Sequence, residues 1–310
     1  MLPVDWYAAY VSPHLYEISI LTSNFTAIVQ NFTLGADIEI NPTICQGVCS
    51  AVVPGAGFAI NCTESTGPFF NITPYASNGS IDVTTLHDIF STSVVYSLWD
   101  NRLSVCELND TDVSAPPGNV QVAFKNTTDC YGEMQIRNCT LRAATVEFPV
   151  TVTHNRSGNS LDTIALTPTT TIFDDAVIAL RNTTDNTGVA QAAAMYYALS
   201  NAYTSLAQIV FKGAIQYQLT TSGSMVDRYA NVISPDECTI SFNDPTAEIL
   251  SAARELMFRS AVASADSSML FRVAAQQVAT QQVYQSNYIW LGVATIVTGL
   301  GFLLTLPTFN

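Results

Sequence analysis

The sequence contains very little basic charge. Lysine occurs only at Lys125 and Lys212, Lys and Arg together number 11 against 25 Asp and Glu, and the net charge is -14. A protein that binds nucleic acid through its phosphates needs clustered basic side chains, and none are present here. The composition therefore argues against nucleic acid as a partner. Only 12% of the residues are charged, which is low for a cytosolic enzyme.

The sequence also lacks the motifs of common catalytic and metal sites. It has no G-x-S-x-G turn for a nucleophilic serine and no acidic run of the calcium-loop type. Histidine occurs only at His14, His87 and His154, which we expect at the surface. Paired carboxylates suffice for glycoside hydrolysis, but sequence cannot rank pairs among 25 acidic residues. We predict no catalytic residue, no cofactor and no bound metal.

Seven cysteines are spread along the chain. They are Cys45, Cys49, Cys62, Cys106, Cys130, Cys139 and Cys238. A structural zinc site needs four cysteine or histidine ligands at short paired spacings, and the group at residues 45–62 has no fourth ligand nearby. Disulfide bonds, which form in oxidising compartments, are the favoured interpretation. We predict one bridge between two of Cys45, Cys49 and Cys62 and another between Cys130 and Cys139; the odd number leaves one cysteine over.

Acceptor motifs for N-linked glycans are more frequent than chance predicts. The sequons start at Asn24, Asn31, Asn61, Asn71, Asn78, Asn109, Asn126, Asn138, Asn155 and Asn182. Random placement would give roughly four in a chain of this composition. None starts after residue 182, so the glycan-bearing part of the chain is predicted to end there. The excess predicts exposure of this part to a secretory lumen.

The C-terminal segment 288–306 is uncharged and apolar. At 1.5 Å per residue, a helix of this length spans roughly 28 Å, which is close to the hydrocarbon thickness of a bilayer. Tyr288 and Trp290 lie where interfacial aromatic residues are expected. We predict a membrane helix here, the lipid bilayer as a partner and 307–310 as a cytosolic stub; a buried core helix is the alternative. The N-terminus lacks the features of a signal peptide, which predicts a longer parent chain with other membrane helices.

Alternating apolar residues predict short strands and loops over 20–175. Val120, Val122 and Phe124 would share one strand face, and the segment 145–152 alternates in the same way across Pro149. Proline in such a strand predicts an edge position or a bulge. The glycine-containing segments 54–57 and 115–118 are predicted turns.

Helical periodicity follows the last sequon. The apolar residues at three- and four-residue spacing are Val189, Ala192, Tyr196, Leu199, Tyr203, Leu206 and Val210. They predict a helix over 189–210 that ends before Gly213. Strands are predicted at 213–222 and 237–242. A second helix is predicted from Asp244, with Asp244 as its cap, Pro245 in its first position and Glu248 in its first turn. A further strand is predicted within 269–287.

These patterns predict an α+β fold: a mostly antiparallel β ectodomain with two packed helices, followed by one C-terminal transmembrane helix. The ectodomain would comprise residues 1–287, β-rich over 20–175 and mixed over 176–287. The transmembrane helix would comprise residues 288–306.

Several segments resemble known sequences when taken in order. They are CQGVCSAVVPGAGFAINC, RNCTLRAATVEFPV, MYYALSNAY, DPTAEILSAARELMFRSA and the final apolar segment. Together they look like the ectodomain and last helix of uncharacterised polytopic membrane proteins of filamentous fungi. The resemblance implies additional membrane helices upstream and a basic cytosolic segment downstream. It implies no activity.

The expected function is binding, sensing or scaffolding by a glycoprotein ectodomain at the fungal plasma membrane or an endomembrane, with an unknown extracellular ligand. One alternative is an ecto-enzyme that acts on wall glycans through paired carboxylates. Another is an oligomeric envelope-type glycoprotein that associates through the helix predicted at 189–210.

Overall fold

A computed structural model provides the structure of the protein. It describes residues 9–11, 18–41, 43, 45, 47–72, 85–96, 118–154, 161–167, 176–180, 186–212, 216–231, 239–265, 273–278, 293 and 295–300. The chain falls into two units, Met1–Gln277 and Val278–Asn310. The fold described below is that of the first unit.

Strands predominate among the described elements. The strands are β1 (Ala9–Val11), β2 (Ile18–Leu21), β3 (Ile38–Ile40), β4 (Val48–Asn71), β5 (Thr85–Tyr96), β6 (Gly118–Phe124), β7 (Tyr131–Thr153), β8 (Asp162–Leu166), β9 (Val177–Leu180), β10 (Ser205–Lys212), β11 (Gln216–Ser222) and β12 (Ala275–Val278). The helices are α1 (Ser23–Thr33), α2 (Asn186–Tyr203), α3 (Met225–Tyr229) and α4 (Thr246–Ala263).

Most strands belong to one sheet. Its order is β11-β10-β5-β6-β7-β4-β12, with β8 and β9 paired to β7 and β3 paired to β8. The strands from β11 to β4 pair antiparallel, and the sheet curls into a half-barrel. β1 and β2 form a separate two-stranded sheet. The antiparallel β character agrees with the sequence.

Two very long strands form the centre of this sheet. β4 has 24 residues and β7 has 23, and they pair from Val48 opposite Thr153 to Asn71 opposite Tyr131. The predicted turn at 54–57 is wrong, because these residues lie inside β4. A Cβ on Gly57 would lie 2.3 Å from Val146 Cγ2, so this glycine permits close packing and does not make a turn.

The alternation predicted for β6 and β7 is present. Val120, Val122 and Phe124 are buried on one face of β6, and buried residues alternate along 144–150 of β7. The core side of these strands is therefore the one that the sequence indicates. Polar residues of the same strands face outward.

Pro149 lies in β7, at the gap between the two short strands β9 and β8 that pair with it. β9 pairs with β7 as far as Val146, and β8 pairs with it from Val150 onward. The carbonyl of Pro149 accepts a hydrogen bond from Thr167 N at 2.9 Å, on the side where these two short strands lie. The N–H and C=O of an antiparallel residue point to the same side, so the missing N–H of Pro149 falls between β9 and β8. β7 is an interior strand that pairs with β4 without a register shift at Pro149, so the predicted edge position or bulge is wrong, and the gap between β9 and β8 accommodates the proline instead.

The helices pack against the sheet to form the core. The main cluster of buried residues combines α1, α2 and α4 with strands β4 to β7 and β10. Tyr196 of α2 is fully buried, stacks on Phe58 with ring centroids 5.6 Å apart, and donates a hydrogen bond to the Leu141 carbonyl. A smaller cluster joins Phe148 of β7 to Phe258 of α4.

The helix predicted over 189–210 ends early. α2 ends at Tyr203, and Leu206 and Val210 belong to β10, which pairs with β5 on one side and β11 on the other. Periodicity alone did not show this change, because apolar residues at 203, 206 and 210 continue the helical spacing. Sheet pairing on both sides outweighs that local pattern.

Other helix predictions have mixed outcomes. α4 begins at Thr246 with Pro245 in the cap position, one residue later than predicted, although Asp244 Oδ1 accepts a hydrogen bond from Thr246 N at 2.9 Å. α1 and α3 were not predicted. The strand predicted at 237–242 is reduced, among the described residues, to one isolated bridge between Ala230 and Phe242.

The predicted membrane helix is the main error in the fold. Residues 293 and 295–300 are helical, but no helix among the described residues is both long enough and apolar enough to cross a membrane. This finding overturns the predicted fold class with its C-terminal transmembrane helix, and it overturns the predicted membrane location. A low count of charged residues shows only that a segment is apolar, whereas spanning needs about 20 helical residues in succession. Tyr288 and Trp290 lie outside the described residues.

Candidate functional site

Two disulfide bonds are described: one lies at the start of β4, and the other joins the interior of β4 to the interior of β7. Cys45 lies just before β4 and is bonded to Cys49, which lies within the start of β4. This confirms the bridge predicted within residues 45–62. Cys62 is bonded to Cys139, and their Cα atoms are 4.0 Å apart. Cys130 is also disulfide-bonded. The remaining candidates, Cys106 and Cys238, lie outside the described residues.

The predicted bridge between Cys130 and Cys139 is wrong. Cys130 lies just before β7 and Cys139 lies within it, so nine residues of extended strand separate them by roughly 30 Å. Their closeness in sequence had suggested a short loop. In the structure, Cys139 is instead directly opposite Cys62 in the strand register.

The Cys62–Cys139 bridge lies between two identical acceptor motifs. Residues 61–63 and 138–140 both read Asn-Cys-Thr. In the register, Asn61 is opposite Thr140, Cys62 is opposite Cys139, and Thr63 is opposite Asn138. Side chains of opposed residues share a face, so both cysteines face the core while both asparagines face outward. Cys139 is buried, and Asn61 and Asn138 are exposed.

Both threonine hydroxyls of these motifs are engaged within the sheet. Thr63 Oγ1 donates to the Asn138 carbonyl at 3.4 Å, and Thr140 Oγ1 donates to Asn119 Oδ1 at 3.2 Å. Each acceptor motif is therefore built into the strand ladder and is not displayed on a loop. The two identical tripeptides were visible in the sequence, but their opposition depends on a strand register that the sequence did not reveal.

The other described sequons also lie at the surface. Asn24 and Asn31 on α1 and Asn126 after β6 are exposed, and Asn71 at the end of β4 is half-buried. Asn78, Asn109, Asn155 and Asn182 lie outside the described residues.

An exposed aromatic pair lies beside Asn71. Tyr131 is directly opposite Asn71 in the register, and Phe69 is two residues before it on the same face. The Phe69 and Tyr131 side chains are 62% and 64% exposed, with ring centroids 6.5 Å apart. The two rings therefore place exposed apolar surface next to this sequon.

A histidine and a carboxylate form the second polar cluster. His154 Nδ1 lies 2.8 Å from Asp162 Oδ1, and Thr43 donates to Asp162 Oδ2 from its hydroxyl at 2.7 Å and its N–H at 2.6 Å. The hydrogen bonds from Thr43 lower the pKa of Asp162 to about 2, with a smaller contribution from His154. Asp162 therefore stays ionised in the folded protein.

This cluster holds the chain around the first disulfide. Cys45 N donates to Thr43 Oγ1, and His154 N donates to the Gly47 carbonyl. A catalytic histidine–aspartate pair needs a nucleophile beside the imidazole, but both nearby cysteines are in the disulfide and the Thr43 hydroxyl donates to the carboxylate. The geometry is that of a structural clamp. His87 lies in β5, and His14 lies outside the described residues.

Lys125 is a buried lysine that the sequence did not single out. Its side chain is fully buried, and Nζ donates to the carbonyls of Ile240, at 2.8 Å, and Thr127. Burial lowers its pKa to about 8, partly opposed by the charge of Asp129. A lysine with a lowered pKa can act as a nucleophile. Here, however, its ammonium joins the segment after β6 to the segment before α4.

Arginine residues contact several of the described carboxylates. Arg137 forms ion pairs with Glu64, at 2.7 Å, and with Asp244. Glu248 accepts from Arg228 and from the Tyr229 hydroxyl. Glycoside hydrolysis needs two carboxyl groups that flank the scissile bond, whereas Glu64 and Asp244 both contact Arg137. Within the described part of the chain, no group of three or more His, Cys, Asp or Glu could hold a metal ion.

Comparison with models of protein families, with curated proteins and with solved structures finds no match to this chain. The resemblance to fungal membrane proteins therefore stays a prediction. What this protein does has to be argued from its own residues.

Proposed function

We propose that this chain is a disulfide-bonded, N-glycosylated extracellular domain that works by binding or scaffolding. One observation carries the proposal: the sheet has disulfide cysteines on its inner face and sequon asparagines on its outer face, within the same two tripeptides. Both features require passage through an oxidising secretory compartment.

The polar clusters support binding over catalysis. The buried lysine, the histidine–aspartate pair and the arginine-bridged carboxylates each connect separate segments of the chain. Such networks rigidify a surface without supplying a free nucleophile or acid. A rigid sheet with small polar and apolar residues outward is suited to holding a partner or a glycan in a fixed position.

The residues behind the oligomerisation alternative are used inside the chain. Tyr196, Leu199 and Tyr203 of the predicted stripe are buried in the main core. They are therefore occupied by contacts within one copy of the protein, and this favours the binding hypothesis over association through that helix.

The exposed aromatic pair offers a surface that a glycan at Asn71 would contact. A sugar attached to Asn71 would lie over Phe69 and Tyr131, because all three residues share one face at the end of β4 and β7. Covering these rings would remove apolar surface from water. The glycan would thus be part of the folded surface.

Secretion from cultured eukaryotic cells tests the proposal. The protein is purified, digested with a peptide N-glycosidase and mapped by mass spectrometry under non-reducing conditions. We expect glycans at the exposed asparagines Asn24, Asn31 and Asn126 and a peptide linked through Cys62 and Cys139. A secreted protein with every sequon empty, or with all its thiols free, would refute the proposal.

A further inference from the structure

We infer that Asn138 can be glycosylated only before the Cys62–Cys139 bridge closes. Disulfide formation and glycan transfer therefore compete at this site. The inference rests on the proposed function, because it concerns how one of the proposed glycans is added. It assigns to this disulfide a control over modification that sequons without a cysteine, such as those at Asn24 and Asn31, do not share.

The first step concerns what the modifying enzyme must reach. Glycan transfer recognises the asparagine amide and the threonine hydroxyl of one tripeptide. The sugar C1–O bond to a lipid-linked pyrophosphate donor breaks, a bond from C1 to Asn138 Nδ2 forms, and the amide nitrogen gives up one proton. The whole tripeptide, and not the asparagine side chain alone, must therefore be presented.

The folded sheet withholds that tripeptide. Asn138 is paired with Thr63 of β4 on one side and with Gln121 of β6 on the other, so its backbone lies in the interior of the sheet. The Thr140 hydroxyl already donates to Asn119, and the central Cys139 is 1% exposed. Asn138 is the exposed residue of the tripeptide, and Thr140 is half-buried. Presentation requires β7 to leave both neighbouring strands.

The bridge makes that departure impossible at this position. When it closes, Cys62 and Cys139 lose two thiol protons and two electrons, and the electrons pass to a protein disulfide that acts as the oxidant. The central residue of each acceptor tripeptide is then covalently fixed to the other. Opening the strand pair at Asn138 would require reduction of the bond first.

The order of synthesis makes the two sequons unequal. The cysteines are separated by 77 positions, so Asn61 enters the lumen well before Cys139 exists. At about 5–20 residues per second, this gives Asn61 a head start of roughly 4–15 s. Asn138 has no such interval, because Cys62 is already present in the lumen when Cys139 enters it. Asn138 is therefore the sensitive site, and Asn61 escapes in most molecules.

The experiment forces early closure and measures occupancy at each site. The full chain is expressed in secreting cells with and without diamide, a thiol oxidant, during synthesis. Occupancy is measured by mass spectrometry after deglycosylation in heavy-oxygen water. In the wild type, diamide should lower occupancy strongly at Asn138 and less at Asn61, with no change at Asn24 and Asn31, whose motifs contain no cysteine.

Two matched variants isolate the bridge. Cys62→Ser leaves the Asn138 motif unchanged in sequence but removes its partner, so Asn138 should keep its glycan in diamide. Cys45→Ser removes a disulfide that contains no sequon, and Asn138 should remain sensitive.

Each outcome has a separate meaning. Equal occupancy of Asn138 with and without diamide, or an equal loss in Cys62→Ser, would overturn the inference while leaving the glycoprotein proposal intact. Empty sequons at Asn24, Asn31 and Asn138 under all conditions would instead overturn the proposed function itself.

Discussion

At the scale of single residues, the polar side chains inside this protein are used mainly to connect segments. Asp162 shows this most clearly, because one of its oxygens accepts hydrogen bonds from Thr43, which is distant in sequence, and the other bonds His154. The sequence marked His154 only as one of three histidines. Its partner could not be identified, because Asp162 was one acidic residue among 25.

The lowered pKa of Asp162 predicts how its contribution changes with pH. A carboxyl whose folded pKa is about 2, against an ordinary value of 3.8, stabilises the fold fully above pH 3.8 and loses that effect as the pH falls toward 2. Asp162→Asn should therefore be less stable than the wild type at pH 6, and the difference should shrink by pH 2. Urea unfolding midpoints across this range measure it.

The control for this prediction is Glu39→Gln, which changes an exposed carboxyl on the neighbouring strand β3. Its difference from the wild type should vary less with pH. A gap between Asp162→Asn and the wild type that stays constant from pH 6 to pH 2 would contradict the assignment.

At the scale of elements, the contact between α2 and β6 depends on the absence of one side chain. A Cβ on Gly118 would lie 2.2 Å from the Tyr196 ring, so the strand begins with glycine where the helix presses against it. The sequence suggested a turn ending at residue 118. The packing reason became visible only when α2 was placed over β6.

Gly118→Ala should destabilise the protein by about 1–3 kcal/mol through this overlap. Tyr196→Leu removes the ring and its hydrogen bond to Leu141, and it also relieves the clash. The double variant should therefore be more stable than the sum of the two single effects predicts, by at least about 0.5 kcal/mol. Denaturant unfolding of the four proteins measures this coupling.

A distant pair provides the comparison. Gly118→Ala combined with Phe258→Leu, which lies in the smaller core cluster, should be additive. Equal coupling in both pairs would show that the effect at Tyr196 is not a local clash.

At the scale of the whole molecule, the two disulfides differ in how much of the chain they enclose. Cys62–Cys139 spans 77 positions and ties the two longest strands together, whereas Cys45–Cys49 spans four. Closing a longer loop removes more conformational freedom from the unfolded chain. The Cys62–Cys139 bridge should therefore contribute more to the stability of the fold than the Cys45–Cys49 bridge.

Replacing both Cys62 and Cys139 by alanine should cost about 4.5 kcal/mol, and replacing both Cys45 and Cys49 about 2 kcal/mol, from the loop lengths alone. Guanidinium unfolding of the oxidised proteins measures both values. If the shorter bridge proved the more important one, local packing around it would have to outweigh the loop effect.

The sequence by itself determined the local preferences of this protein. Alternation placed the core faces of β6 and β7, and a proline with its flanking carboxylates marked the start of α4. These features depend on residues close together in the chain, where backbone geometry and capping decide the outcome. Apolar length alone was a poor guide at the C-terminus.

Only the tertiary structure decided which distant residues meet. The end of α2 at Tyr203, the opposition of Cys62 and Cys139, and the clamp between Thr43, Asp162 and His154 all follow from strand register and sheet order. A shift of one residue in register would turn every side chain to the other face. The opposition of the two Asn-Cys-Thr motifs on adjacent strands therefore required the folded sheet, although each motif is visible in the sequence.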